Sequence, residues 1–370
     1  MEEVTAWWRV DELGPYKAMF VRLPADCLGI VVVDNVALGP AIGGLRMTTS
    51  VDAAEVARLA RAMTIKSAAS GLSYGGAKAG IVVPGELDEA ERERVIRAFA
   101  GAIRELYEYI PGPDMGTDET AMAWIRDEIG RAVGLPAALG GIPLDVLGAT
   151  GYGLAVCAET LSEAGLLDLN GARVVVQGFG AVGSHAAMQL AERGAVVVAV
   201  SDSRGAIHDP SGLDVKVVAD FKHRDKGSVG NFPGGLGVPR DDILTLDCDV
   251  LVPAAQPDVI TKQNADLVEA KVILPGANIP VTVEAEQMLR KRGVLCVPDV
   301  IANAGGVICA AVEYRGGDWD AALTTIRSRI SASTLGLVDR IRTGDVEPRA
   351  AAEQMALERV TAAQSYRRKY

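Results

Sequence analysis

Apolar residues cluster at the start of the chain into two strand-like runs, residues 18–23 (AMFVRL) and 27–34 (CLGIVVVD), separated by Pro24 and Ala25. In residues 38–47, LGPAIGGLRM, the positions Gly39, Pro40, Gly43 and Gly44 predict an irregular loop that can approach a ligand closely; a plain turn is the simpler reading. Asp52 with Glu55 three residues on predicts a capped helix start, and Val56, Leu59, Met63 and Ile65 sustain a helical apolar stripe. That helix carries Lys66 near its C-terminal end, where the macrodipole favours a cation. After a turn over residues 70–76, Lys78 is expected in a loop, at the mouth of the apolar strand AGIVVP. Residues 87–106 read as an amphipathic helix with a solvated charged face. Pro111, Gly112 and Pro113 then predict an irregular lead-in that places Asp114 in a rigid loop, before a helix capped by Thr117 or Asp118.

The second half changes rhythm. Thr150 is expected to cap a long helix, and the strand 172–177 (ARVVVQ) runs into Gly178, Phe179, Gly180, Ala181, Val182 and Gly183, then a helix, then a second strand ending at Asp202. A lone GxGxxG is weak evidence, but between a strand and a helix it is the dinucleotide fingerprint. Its glycines give a tight turn, close approach of backbone to the pyrophosphate, and close helix-strand packing. Asp202, nineteen residues after Gly183, is placed to hydrogen-bond the adenosine ribose, which favours NAD; Ser203 and Arg204 directly after it suit a 2′-phosphate and leave NADP open. Residues 248–255 and 271–278 read as further parallel strands, ending at Ala254, Ala255 and Asn278 on the cofactor edge, and 294–307 resembles them. Residues 204–237 read as a surface insertion of small helices and turns.

The expected class is therefore α/β: an N-terminal α/β domain (1–140), a Rossmann-type dinucleotide-binding domain (141–325), and C-terminal helices (326–370) that return to the first domain. A content of 49% hydrophobic residues and 41 glycines suits two such domains with cores of their own. The net charge of -11 argues against nucleic acid or an anionic membrane as partner, because either needs a basic face, so the ligand is expected to be small. Five cysteines, odd in number and without a CxxC pair, indicate neither a disulfide framework nor a zinc site. The acidic first ten residues lack an apolar signal core and no run is long enough to span a bilayer, so a cytoplasmic protein is expected.

His185, His208 and His223 are the only histidines, all in the second half and none at metal-ligand spacing, so acid/base chemistry in the first half must rest on lysines and carboxylates. There Lys66 and Lys78 lie twelve residues apart among small and apolar neighbours, and up to residue 215 the only other lysine is Lys17. A guanidinium stays charged; an ammonium forced into an apolar setting can lose its proton near neutrality. The bland reading is a pair of surface lysines that cap or snorkel. For Asp114 it is a solvated turn residue.

Taken together, GPAIGGLRM, MTIKSAASGLSYGGAKAG, GPDMGTDE, ATGYG, GFGAVG with VSDSRG, and NAGGV resemble, in this order, the glutamate/leucine/phenylalanine/valine dehydrogenase family, NAD(P)-dependent amino-acid dehydrogenases. The resemblance implies that Lys66 binds the substrate α-carboxylate, with Gly43 and Gly44 in the substrate loop. It makes Lys78 the catalytic lysine that activates water and Asp114 the catalytic aspartate that shuttles the amine proton. Asn303 falls beside nicotinamide and substrate, and Thr150 on the cofactor side. Glutamate-specific members carry a lysine for the side-chain carboxylate where this chain has Ile42, and a serine where it has Ala310. Both handles are apolar here, which implies a hydrophobic L-amino acid of leucine, valine or phenylalanine type, its 2-oxo acid and ammonium as the small-molecule partners. The alternatives are a glutamate dehydrogenase with an altered carboxylate site and a catalytically silent nucleotide-binding subunit. Family members are hexamers, octamers or dimers, so a homo-oligomer is expected.

Overall fold

The first sheet contains β1 (Lys17–Arg22), β2 (Leu28–Asn35), β3 (Ala41–Thr48), β4 (Gly75–Val82) and β5 (Tyr109–Pro113), in the order β1-β2-β4-β3-β5. Strands β1, β2 and β4 pair antiparallel, whereas β3 runs parallel to both β4 and β5. The structure is a computed structural model that describes residues 10–225, 227–344 and 346–367; the N-terminal stretch read for a signal core lies, up to residue 9, outside the described residues.

Both faces of this sheet are covered, and side chains alternate between them with the strand period of two. Helix α1 (Ala53–Ala69) packs over the face that presents Ile30 and Val32, adding Val56 and Ala60. Helices α2 (Glu89–Ala102) and α3 (Glu119–Ile129) join the larger core on the opposite face, with Val31, Val33, Leu45, Ala79, Phe99 and Met122. Each helix starts at an aspartate whose side chain accepts a backbone N–H: Asp52 from Glu55 (2.7 Å), Asp88 from Glu91 (2.8 Å) and Asp118 from Ala121 (2.9 Å). Asp118, not Thr117, is thus the α3 cap.

Three local expectations are corrected here. Of residues 38–47 only 38–40, with Gly39 and Pro40, are a turn; from Ala41 on the segment is not an irregular loop, because Ala41–Thr48 is strand β3. Its glycines serve close approach: a Cβ on Gly43 would lie 1.8 Å from the Ala77 carbonyl oxygen. Lys78 does not sit in a loop either; it lies inside β4, the middle strand of the sheet. Pro111, Gly112 and Pro113 belong to strand β5, which tolerates proline because it is an edge strand.

The second sheet is built from β6 (Arg173–Gln177), β7 (Val196–Ser201), β8 (Ala206–His208), β9 (Leu236–Val238), β10 (Val250–Pro253), β11 (Val272–Ile273) and β12 (Leu295–Cys296), in the order β12-β11-β10-β6-β7-β8-β9. The first five strands of that order are parallel, as in a Rossmann domain, and β8 and β9 extend it antiparallel. Residues 204–237 are therefore not simply a surface insertion: they supply two strands of the sheet and a helix. The helices of this half begin with α4 (Ala149–Glu163), α5 (Ala181–Ala191) and α6 (Val215–Asp225).

The expectation that Thr150 caps α4 is also corrected. Gly148, at φ 76°, is the cap, and Thr150 lies within the first turn. A Cβ on Gly148 would meet the His185 ring at 2.3 Å, so helix α5 approaches too closely for Ser, Thr or Asp to serve there.

Helices α7 (Gly305–Tyr314), α8 (Trp319–Thr343) and α9 (Pro348–Gln364) complete the chain. It divides into two units, one made of Met1–Pro143, Val307–Ala322 and Glu353–Tyr370, the other of Leu144–Gly306 and Leu323–Ala352. Of the segment 326–370 assigned as a whole to the first domain, residues 326–352 group with the second unit and only Glu353–Tyr370 with the first. Cys27, Cys157, Cys248, Cys296 and Cys309 are all buried and none forms a disulfide. Among the described residues no helix is long and apolar enough to cross a membrane.

Candidate active site

Strand β3 organises the site of the first unit. By the period of two, Ile42, Gly44 and Arg46 share one face of β3. A Cβ on Gly44 would sit 2.8 Å from Asp114 Cβ and 3.1 Å from Lys78 Nζ, so the glycine leaves the space in which those two side chains meet. Lys78 Nζ lies 3.0 Å from Asp114 Oδ2. The same oxygen accepts a hydrogen bond from Arg46 Nε at 2.8 Å, and Arg46 Nη1 donates to Glu55 Oε1 at 2.5 Å. Asp114 is fixed on its backbone as well. Its N–H donates to Thr117 Oγ1 (3.0 Å), and that hydroxyl donates to the Leu45 carbonyl of β3 (2.7 Å).

Burial decides the protonation of this group. Lys78 is 7% exposed. Burial pushes its ammonium down from the ordinary lysine range, Asp114 opposes that fall, and the positive charge of Arg46 adds to it. Burial on its own would raise the Asp114 carboxyl, but Lys78 and Arg46 outweigh it and hold the group below the usual carboxylate range.

Lys66 is half-buried in the last turn of α1. The contact between α1 and β4 is as close as backbone permits, since a Cβ on Gly76 would lie 2.0 Å from the Thr64 nitrogen. Ile42 is 3% exposed in β3, and Ala310 is 7% exposed in α7.

Arg46, Glu55 and Thr117 are members of this constellation that the sequence reading did not single out for it. The available signal was the i, i+2, i+4 spacing of Ile42, Gly44 and Arg46, which is visible only once the glycines are read as strand.

In the second unit the fingerprint glycines take the expected parts. Gly178, at φ 94°, makes the turn out of β6, and a Cβ on Gly183 would strike the Gly178 carbonyl oxygen at 1.8 Å. Gly180, the cap residue of α5, has nothing within 4 Å of its missing side chain, which leaves open space at the helix start. Phe179 is buried, and Ala181 and Val182 form the first turn of α5. A cavity of about 710 Å³ is lined by Gly178, Phe179, Asp202, Ser203, Ala254 and Ala255, among others.

Asn303 is buried, with its amide donating to the Ala277 carbonyl at 2.9 Å and lying 3.3 Å from Asn278 Oδ1. Its own Oδ1 has no hydrogen-bond partner among the described residues. A buried acceptor in that state is costly unless a ligand donates to it, as a carboxamide N–H can. The open glycine cradle, the cavity and this acceptor together fit a nicotinamide dinucleotide. Ser203 and Arg204 are exposed on the turn after β7, while Asn278 is exposed beyond β11.

Asp202 is more occupied than a free ribose acceptor would be. Its Oδ1 accepts from the Arg204 N–H (2.9 Å), the Gly205 N–H (3.1 Å) and the Ser228 hydroxyl (2.9 Å). Its Oδ2 accepts from the Val229 N–H (2.9 Å) and lies 3.4 Å from Lys222 Nζ. Although burial acts to raise this carboxyl, those donors hold it below the usual range.

The family described as Glutamate/Leucine/Phenylalanine/Valine dehydrogenase matches residues 140–368, and the Glu/Leu/Phe/Val dehydrogenase dimerisation domain matches residues 21–131. A glutamate dehydrogenase of Aeropyrum pernix is 40% identical over 356 residues, 90% of this chain and 85% of that protein. Among solved structures, the hetero-hexameric glutamate dehydrogenase from Thermus thermophilus in its leucine-bound form aligns with a TM-score of 0.83 at 31% identity, covering 100% of this chain and 95% of that one. The L-tryptophan dehydrogenase from Nostoc punctiforme aligns with a TM-score of 0.76 at 26% identity, over 99% of this chain and 100% of that one. The chain belongs to the Glu/Leu/Phe/Val dehydrogenase family and is an NAD(P)-dependent amino-acid dehydrogenase.

Proposed function

We propose that this enzyme catalyses the reversible oxidative deamination of an L-amino acid with an apolar side chain to its 2-oxo acid and ammonia, with Lys78 and Asp114 as its catalytic residues. The observation that carries the substrate class is Ile42. It is buried on the same face of β3 as Gly44, against which Lys78 and Asp114 meet. A side-chain carboxylate brought against it without a partner loses on the order of several kcal/mol, whereas burying a branched or aromatic side chain gains about 1.5–3 kcal/mol. Ala310, where the family resemblance expects a serine in glutamate enzymes, points the same way.

The dinucleotide, when bound, supplies the hydride acceptor for the substrate Cα. The remaining steps fall to the protein. Lys66 holds the α-carboxylate. Lys78, its pKa lowered by burial, takes a proton from the water that attacks the imine carbon, and then as an ammonium stabilises charge on the new oxygen. Asp114, held within 3.0 Å of Lys78, carries the proton to and from the substrate nitrogen. The match to a dimerisation domain supports assembly as an oligomer, and the hetero-hexameric relative agrees with it; a homo-oligomer is the form proposed here.

One observation favours a second reading, a glutamate substrate: relatives near 40% identity bear the glutamate dehydrogenase name. The test is reduced-nucleotide oxidation with ammonium and, in turn, 4-methyl-2-oxopentanoate, 3-methyl-2-oxobutanoate, phenylpyruvate and 2-oxoglutarate. At least one of the apolar oxo acids is expected to exceed 2-oxoglutarate in kcat/KM by tenfold or more. Turnover of 2-oxoglutarate alone refutes the apolar substrate and establishes the second reading.

A further inference from the structure

The unpartnered Oδ1 of Asn303 belongs to a closed ring of hydrogen bonds, and Asp299 is the residue that closes it. The Asn303 side-chain amide donates to the Ala277 carbonyl at 2.9 Å. Two residues further along, the Ile279 N–H donates to Asp299 Oδ2 at 3.0 Å, and the Asp299 carbonyl accepts the Asn303 N–H at 3.1 Å. A side-chain amide has a donor end and an acceptor end, so committing the donor end to Ala277 is what leaves Oδ1 for a ligand. Asp299 is 4% exposed and begins the short helix Asp299–Ala302, which ends at Asn303.

The turn that supplies Ala277 does not hold its shape unaided. Ile279 sits at φ 48°, where a β-branched residue is an outlier, and Pro280 directly after it biases it toward extended backbone. Ile279 is 48% exposed, so packing of its side chain does little to fix it. Its backbone is tied on both sides instead, the N–H to Asp299 and the carbonyl to the Asp258 N–H at 2.9 Å. Such a conformation persists only where its surroundings over-determine it. Asp299 is fixed in its turn by Arg349, whose Nη1 donates to Oδ1 at 3.1 Å. The other side of the guanidinium grips Glu286, Nε at 2.8 Å and Nη2 at 2.5 Å. Glu286 lies on the helix Val283–Lys291, which starts just after the turn, so the planar fork of Arg349 ties both flanks of the turn together.

We propose that Asp299 and Arg349 are positioning residues for the reaction: they hold the turn 276–280 in its left-handed form, so that Asn303 keeps its donor on Ala277 and offers its oxygen to the carboxamide of the nicotinamide. The proposal rests on the reading of Asn303 as a neighbour of the nicotinamide and adds what fixes it there. Once the carboxylate is lost, the Ile279 N–H has no acceptor, the turn relaxes toward extended backbone, the Ala277 carbonyl moves away and the Asn303 amide rotates. Asp299→Asn probes this with little change of shape. Its one oxygen can serve Ile279 or Arg349, and its NH2 then faces a donor at the other.

The experiment measures, by calorimetry on the full-length enzyme, the affinities of NADH and NADPH against their 3-acetylpyridine analogues, which carry a methyl group in place of the carboxamide NH2. Single-turnover hydride transfer is followed alongside, with ammonium and either 4-methyl-2-oxopentanoate or 2-oxoglutarate. The natural enzyme is expected to favour the carboxamide nucleotide about tenfold. Asp299→Asn and Arg349→Met are each expected to cut that preference about fivefold or more and to slow hydride transfer about tenfold or more, with affinity for the analogue changed less than about twofold. Arg349→Lys, which keeps the charge and loses the fork, is expected to fall between Arg349→Met and the natural enzyme. Because Asp299 acts through Asn303, Asp299→Asn is expected to cost less than about twofold more in an Asn303→Ala background. A full tenfold loss in that background overturns the positioning role and leaves the reading of Asn303 standing. If Asn303→Ala by itself changes neither the preference nor the rate, the reading of Asn303 fails and the proposal with it. The binding arm holds even where neither oxo acid is reduced. Should circular dichroism show that Asp299→Asn does not fold, the Arg349 variants carry the same comparison in both backgrounds, and Arg349→Met that keeps both preference and rate overturns the proposal.

Discussion

Adding one methyl group to β3 perturbs the chemistry without removing any catalytic atom. In Gly44→Ala the new Cβ would lie 2.8 Å from Asp114 Cβ and 3.1 Å from Lys78 Nζ, where ordinary contact begins at 3.4 Å. Asp114 must therefore retreat by about 0.6 Å, and it is tied to β3 through Thr117 and to Arg46, so it cannot do so without moving the whole group. A displacement of 1 Å at a reacting group costs about 10²-fold in rate, so on the order of tenfold or more in kcat is expected, equivalent to about 1.4 kcal/mol. Steady-state kinetics of the oxidative direction at saturating nucleotide measure this, with nucleotide affinity measured separately by fluorescence titration. The second unit is untouched, so affinity should stay within about twofold. If Gly44→Ala keeps full kcat, the close meeting of Lys78 and Asp114 over this glycine is not what positions the catalytic groups, and the argument from β3 is refuted.

Other perturbations test separate parts of the account. Arg46 contributes to lowering Lys78, so Arg46→Gln should raise the Lys78 pKa and move the ascending limb of kcat/KM against pH to higher pH; a limb that stays in place or moves down removes Arg46 from the group. Ile42→Lys restores a cation for a side-chain carboxylate and should raise kcat/KM for 2-oxoglutarate about tenfold or more while lowering it for 4-methyl-2-oxopentanoate; no change in either ratio means Ile42 does not meet the substrate side chain. Glu313 on α7, 6% exposed, accepts the N–H groups of Leu135 (3.1 Å) and Ile142 (3.0 Å). Glu313→Ala strands both donors and should cost about 2 kcal/mol or more in urea unfolding, and a loss below about 0.5 kcal/mol would show that water replaces the carboxylate.

Much of this was legible in the residues, and the misreadings share one cause. The dinucleotide fingerprint is visible because glycine spacing, a preceding strand and a following helix all encode one local geometry. The aspartate cap at Asp52 is visible for the same reason, and the cap of α3 is narrowed to Thr117 or Asp118. By contrast, Gly43 and Gly44 were read as a loop and Pro111–Gly112–Pro113 as irregular, because glycine and proline report local preference and nothing of the strands beside them. Gly43 is glycine so that the Ala77 carbonyl can come close, and Gly44 so that Lys78 and Asp114 can meet. These are demands of packing between segments more than thirty residues apart in sequence, which no local pattern carries.

Arg46 was missed as a consequence, since its alignment with Ile42 and Gly44 exists only in a strand. Lys78 was singled out correctly as unusual but placed wrongly, in a loop instead of within the central strand. That change of place strengthens the chemical reading, because a strand buried on both faces lowers an amine more than a solvated loop does. Asp202 shows the converse: its position was legible, yet the five groups that occupy its oxygens come partly from residues 228 and 229, beyond any local motif.

The central claim is that Lys78 works as an amine that can give up its proton, held by Asp114 and burial, and not merely as a positive charge. Lys78→Arg keeps the charge and a donor for Asp114 but not the ability to deprotonate, so single-turnover measurement of hydride transfer and product release in this variant is the direct test. The account predicts turnover reduced on the order of 10³-fold, within the range general-base loss produces, with nucleotide affinity unchanged. An arginine enzyme that retains activity within tenfold of the natural one would contradict it.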